Sequence, residues 1–133
     1  MRLAARLAWT VFALLCACGR PASTGGQWGI RAVSLRPTFG GSMLDFRFQV
    51  VDAAKAKKLF DRALKPYLFD PKSRVALGVP DSKLGALRAS VRNPPVAGKQ
   101  YYVMFANALG SVTRGRDVTV VIGDCKLEHV IVE

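Results

Sequence analysis

The sequence predicts a mainly β protein, an immunoglobulin-like antiparallel β-sandwich with one short helix. Seven or so apolar runs follow one another at spacings of roughly 8–15 residues, separated by turn residues, which is typical of a sandwich. Residues 43–51 alternate strictly between apolar and polar side chains. The apolar runs at residues 101–107 and 117–122 are rich in Tyr, Val, Phe and Ile, which favour strands. A small β-barrel is the alternative, because periodicity alone does not separate the two architectures.

The first 17 residues have the layout of an export signal. Arg2 and Arg6 form a cationic start, and residues 7–15 form an apolar stretch. That stretch is shorter than the roughly 20 residues that an anchored transmembrane helix needs. It is followed by Leu15, Cys16, Ala17 and Cys18.

This run resembles the lipobox of bacterial lipoproteins. The resemblance implies cleavage after Ala17 and lipidation of Cys18, and it covers residues 15–18 only. It further implies a place in the bacterial cell envelope, and Gly19 after the cysteine favours the periplasmic face of the outer membrane over the inner membrane. An ordinary secretory signal with a chance cysteine, or a membrane-anchoring segment, is the alternative.

The sequence therefore divides into a signal peptide at 1–17, a tether at 18–27 and one domain at 28–133. The tether is rich in Gly, Pro, Ser and Thr, a composition typical of flexible linkers. Cleavage after Ala17 lowers the formal net charge from +11 to +9. Such a basic domain favours an anionic protein, lipid or polymer as partner, although a solvated basic surface explains the same composition.

The domain begins with a predicted strand at 28–36, a turn at 37–42 and the strand at 43–51. Asp52 then caps a short helix that Pro66 ends. Its apolar positions are Ala56, Leu59, Phe60, Ala63 and Leu64. Its opposite face carries Lys55, Lys57, Lys58, Arg62 and Lys65. Further strands are predicted at 67–70, 74–79 and 84–91, and the last at 126–132.

Cys125 and the single histidine, His129, are the candidate metal ligands. A cysteine and a histidine four residues apart occur in copper and zinc sites, and Met43, Met104 or an acidic residue could complete the set. The alternative is a half-buried cysteine and a surface histidine near the end of a strand.

The sequence otherwise favours a non-catalytic binding or assembly domain without a cofactor. No combination of nucleophile, base and oxyanion donors is evident, so an enzyme is not expected. Nucleic acid is not expected as a partner, because the aromatic residues alternate with the basic ones and point to the opposite face. The candidate partner-binding residues lie on the basic helix and in the loop before residue 117: Lys55, Lys58, Arg62, Arg114 and Arg116.

Overall fold

A computed structural model describes residues 24–89 and 94–133 of the chain. The expected signal peptide and Cys18 lie outside the described residues. The strands are β1 Thr24–Gly25, β2 Ile30–Thr38, β3 Met43–Val50, β4 Tyr67–Asp70, β5 Val75–Gly78, β6 Asp81–Ser82, β7 Gly85–Ala86, β8 Gln100–Ala106, β9 Asp117–Ile122 and β10 Cys125–Ile131. Helix α1 is Ala53–Ala56, and 3₁₀ turns form at Gly26–Trp28, Phe39–Gly41 and Lys57–Phe60.

The strands form an antiparallel β-sandwich. The first sheet has the order β1-β2-β3-β8, the second has the order β10-β9-β4-β5, and β6 and β7 form a separate hairpin. With β2, β3 and β8 taken as strands A, B and E, the second sheet has the order G-F-C-C′, which is an immunoglobulin-like arrangement. The predicted fold class is thus confirmed, and among the described residues both sheets are open rather than closed into the alternative barrel.

The core lies between the two sheets. Leu44, Phe46 and Phe48 of β3 are buried, whereas Arg47 between them is exposed, as the strict alternation predicts. Leu68 and Val120 of the second sheet belong to the same apolar cluster. Each of these large side chains contributes roughly 1.5–3 kcal/mol by its burial.

The helix is shorter than the sequence predicts. Asp52 caps it as expected, because its Oδ1 accepts hydrogen bonds from the backbone N–H groups of Ala54 and Lys55. The α-helical turn ends at Ala56, and Asp61 leaves helical geometry at φ −61° and ψ 126°. The Asp61 carboxylate accepts a hydrogen bond from Ala63 N–H, a local bond that competes with helix continuation. Ala63 is therefore exposed rather than in the core.

Two other boundaries differ from prediction. Thr24 and Gly25 pair with Arg31 and Ile30, so these two residues of the stretch expected to be a tether belong to the first sheet. The strand expected at 84–91 is replaced, over its described part, by the β6–β7 hairpin with Leu84 fully exposed at its turn. The chain then follows the edge of β8, where Leu87 O accepts a hydrogen bond from Met104 N–H.

The sandwich has two ends of different composition. The helix end contains the turn Gly26–Trp28, the basic segment at 52–65 and the turn at 123–124; Gly29 O joins the first two by accepting from Val51 and Asp52 N–H. The loop end contains the turn Phe39–Gly41, the turn at 71–74 and the connection at 107–116. At the loop end, Asn107 N–H donates to Ser42 O.

Candidate functional site

A cleft of about 880 Å³ lies on the outward face of the second sheet. We call it the outer cleft. It is lined by Tyr67, Phe69, Pro71, Lys72, Gly115, Arg116, Asp117, Thr119, Val121, Lys126, Glu128 and His129.

The floor of the outer cleft follows from strand alternation and register. Leu68 points into the core, so its neighbours Tyr67 and Phe69 face outward. Tyr67 pairs with Val121 and Phe69 pairs with Thr119, which places the four side chains side by side. Tyr67 remains 41% exposed. The floor is thus largely apolar and accessible to a ligand.

An ion pair lies at the loop end of the outer cleft. His129 Nδ1 and Asp117 Oδ2 are 3.0 Å apart, and both side chains are exposed. The pairing of β9 and β10 shifts register between Leu127 and Val130, and His129 adopts a left-handed φ of 57°. The hydrogen bond from Nδ1 to Asp117 and the charge of Asp117 raise the pKa of His129 above its ordinary value of 6.5. His129 therefore carries a positive charge over a wider pH range than a free histidine.

Arg116 is held in a second, more buried ion pair. Its Nη1 donates to Asp70 Oδ2 at 2.8 Å, and Asp70 is fully buried. Ser73 Oγ and Lys72 N–H also donate to the Asp70 carboxylate, at 2.8 and 3.0 Å. Burial acts to raise the pKa of Asp70, but these hydrogen bonds and the charge of Arg116 outweigh it, so the pKa is lowered. Arg116 was predicted as a partner-binding residue. Its ion pair with Asp70 joins the end of β4 to the start of β9, beside the outer cleft.

The structure does not bring Cys125 and His129 together. Cys125 lies in the core at 0% exposure, where desolvation raises the pKa of its thiol to about 11. His129 lies on the opposite, exposed side of β10. Met43 and Met104 belong to the first sheet. Over residues 24–89 and 94–133, no group of three or more His, Cys, Asp or Glu side chains is placed to hold a metal ion.

The five predicted partner-binding residues fall into two separate groups. Lys55, Lys58 and Arg62 are exposed at the helix end. Arg114 and Arg116 are at the loop end, where Arg114 is exposed and lines a smaller cavity of about 480 Å³. The same loop end presents Phe39 at 69% exposure and Leu109 at 95% exposure. One continuous basic surface made of all five is therefore not formed.

Sequence reasoning missed two residues that organise these sites. Asn107 is buried, and its Nδ2 donates to Gly41 O and Val112 O at 2.9 and 2.8 Å. Arg88 donates from both terminal nitrogens to Leu59 O and Leu64 O and so holds the basic segment. An asparagine directly after an apolar strand was a signal for the first, and an arginine within the apolar run at 84–91 was a signal for the second.

Comparison with known proteins gives no relative. No protein-family model matches the sequence, and no curated protein or solved structure is significantly similar to it. Within the part of the chain that the structure describes, no helix has both the length and the apolar character required to cross a bilayer.

Proposed function

We propose that the chain is a lipid-anchored protein of the bacterial cell envelope whose β-sandwich is a non-catalytic binding or assembly module. The anchor is the acylated Cys18, and the binding surface is the outer cleft. The observation that carries the second part is the combination of an apolar floor with charged side chains of both signs around it, a composition typical of binding sites.

The partner contacts the aromatic floor and the ion pairs beside it. Tyr67 and Phe69 offer apolar area on a rigid strand, so little conformational entropy is lost on binding. Lys72, Lys126 and Glu128 line the same cleft and supply charges that orient the partner. Because these side chains face away from the core, the sandwich folds independently of what the cleft binds.

The binding surface is tested by affinity capture from detergent-solubilised membranes. The wild-type chain is compared with Tyr67→Ser in the outer cleft and with Tyr102→Ser on the outward face of the first sheet. Tyr102→Ser is a matched control for Tyr67→Ser, because the two tyrosines are 40% and 41% exposed. We expect a partner that wild type and Tyr102→Ser retain and Tyr67→Ser loses. Equal retention by all three chains would remove the outer cleft from the proposal.

The anchor is tested by metabolic labelling with a fatty acid. We expect Cys16→Ser to keep the label and to remain with the membranes, and Cys18→Ser to lose both. A Cys18→Ser chain that still carries the label would contradict the anchor.

The alternative function is a periplasmic copper or zinc module that uses Cys125 and His129. It depends on the sequence spacing and would require Cys125 to leave the core. Stoichiometric metal in the purified protein, lost in both Cys125→Ser and His129→Gln, would favour it over the binding module.

A further inference from the structure

The helix end combines exposed positive charge with exposed apolar side chains. Its exposed basic residues are Lys55, Lys57, Lys58, Arg62, Lys65 and Lys99. Val51 and Val96 beside them are 61% and 58% exposed. Backbone hydrogen bonds bring these segments together, because Val50 N–H donates to Lys99 O and Gly98 N–H donates to Val50 O.

The positive charge at the helix end is not neutralised locally. Across the described residues, none of the six basic side chains forms an ion pair. Two of the nearby carboxylates have structural tasks, because Asp52 caps α1 and Asp61 bonds Ala63 N–H and faces the charge of Arg88. Asp124 in the turn at 123–124 is exposed, so three carboxylates stand against six basic side chains. The helix end therefore has a net positive field that is available to an external anion.

The chain also enters the fold at the helix end. Thr24 and Gly25 pair with Arg31 and Ile30, and the turn that follows leads to Gly29. A Cβ on Gly29 would lie 2.9 Å from Cβ of Lys55, so this turn and the basic segment are in direct contact. Cys18 precedes Thr24 by six positions, and a chain of that length spans at most about 20 Å.

We propose that the helix end docks on the anionic phospholipid headgroups of the membrane. This inference rests on the proposed function for its second contact with the membrane, the acyl chains on Cys18. Acyl chains and a basic surface together are the two signals that give stable membrane attachment. The lysines and arginine contact the headgroups, and Val51 and Val96 contact the apolar boundary beneath them. The loop end, which lies at the opposite end of the strands, faces away from the bilayer.

The loop end differs from the helix end in its position relative to Thr24. It too presents exposed apolar side chains, Phe39 and Leu109, and exposed basic side chains at positions 72, 74 and 114, although Asp70 neutralises Arg116. It lies a full strand length from Thr24, whereas the helix end adjoins Thr24, so position rather than composition favours the helix end.

The test uses vesicle co-sedimentation of a chain that begins at residue 18 and carries Cys18→Ser. Both sheets and the core are formed by residues 24–89 and 94–133, so this chain keeps every described contact of the fold. The helix-end variant carries Lys55→Gln, Lys58→Gln and Arg62→Gln. The matched control carries Arg36→Gln, Arg74→Gln and Arg114→Gln at or beside the loop end, which removes the same formal charge from exposed positions outside the outer cleft.

We expect the parent chain to bind vesicles of phosphatidylglycerol and phosphatidylcholine but not vesicles of phosphatidylcholine alone. The helix-end variant should lose binding on the order of 100-fold and the control less than threefold, because only charges near the surface contribute. Added salt should weaken the binding of the parent chain. Equal losses in the two variants, equal binding to both kinds of vesicle, or no binding by the parent chain would overturn the docking surface.

The docking surface and the anchor fail separately. Fatty-acid labelling of Cys18 reports on the anchor alone, because the vesicle experiment uses a chain without acyl groups. A selective loss in the helix-end variant supports the docking surface even when Cys18 carries no label.

Discussion

The two ends of the sandwich are closed in different ways. The buried polar residues found in the described structure, Asp70 and Asn107, both lie at the loop end, where they bond to backbone groups and to Arg116. At the helix end, Leu59 and Phe60 fill the core from the basic segment, and its lysines remain in solvent. Buried polar side chains thus stabilise the loop end, whereas the lysines of the helix end are free to bind.

The largest expected change in the free energy of unfolding comes from loss of the buried ion pair at the loop end. Asp70→Ala leaves Arg116 without its partner and removes the acceptor for Ser73 and Lys72. We expect the free energy of unfolding to fall by about 3–5 kcal/mol in urea denaturation. The exposed Asp81→Ala is the control and should change it by less than about 0.5 kcal/mol.

The same pair makes the loop end sensitive to acid. The folded-state pKa of Asp70 lies below its ordinary value of 3.8, so its contribution to stability is complete above that value. It is lost as the pH falls through the lowered pKa, because the native carboxylate must then take up a proton. Wild type should therefore lose more stability than Asp70→Ala below about pH 4, and parallel pH profiles for the two chains would contradict this.

A somewhat smaller effect is expected at Asn107. Asn107→Ala leaves the carbonyl groups of Gly41 and Val112 and the N–H of Val112 without their side-chain partner. We expect a loss of about 2–4 kcal/mol, since buried groups without hydrogen bonds are costly. Vesicle binding should stay within twofold of the parent chain (about 0.4 kcal/mol or less). A loss of vesicle binding in Asn107→Ala would contradict the assignment of membrane docking to the helix end alone.

Arg88→Lys tests the hydrogen bonds that hold the basic segment at the helix end. It keeps the positive charge but cannot donate to Leu59 O and Leu64 O at the same time in the geometry of the guanidinium group. We expect a fall of about 1–2 kcal/mol in the free energy of unfolding, measured in urea. Unchanged stability would show that the apolar contacts of Leu59 and Phe60 suffice to hold the basic segment.

The smallest expected effect is local to the outer cleft. Asp117→Asn removes the charge that favours protonated His129, so the pKa of His129 should fall back toward 6.5. Titration of the imidazole protons by NMR measures this directly. Glu128→Gln should lower the pKa less, because Glu128 makes the weaker contribution. The opposite order would contradict the assigned hydrogen bond.

Much of the fold was predictable because its signals are local. The two-residue period of β3 and the apolar run of β9 identified those strands to within a residue of their observed ends. Asp52 was identified as a cap because the capping bonds join residues two and three positions apart. The helix is shorter than its apolar spacing predicts, because that spacing does not reveal the local bond from Ala63 N–H to the Asp61 carboxylate.

The candidate site was predictable only in part, because its contacts are distant in sequence. The Asp70–Arg116 pair joins residues 46 positions apart, and no local period indicates it. His129 was selected for its spacing from Cys125, yet its partner is Asp117 on the neighbouring strand. The β10 register shift between Leu127 and Val130 places His129 beside Asp117, and local alternation does not predict such a shift.

Because Cys125 is buried, the reactivity of its thiol measures how often the molecule opens. In the chain that begins at residue 18 with Cys18→Ser, Cys125 is the single thiol that remains. With no exposure and a pKa of about 11, it should react with an alkylating reagent only in molecules whose second sheet has separated from the first. The rate of alkylation then reports how often each variant opens under native conditions, without denaturant.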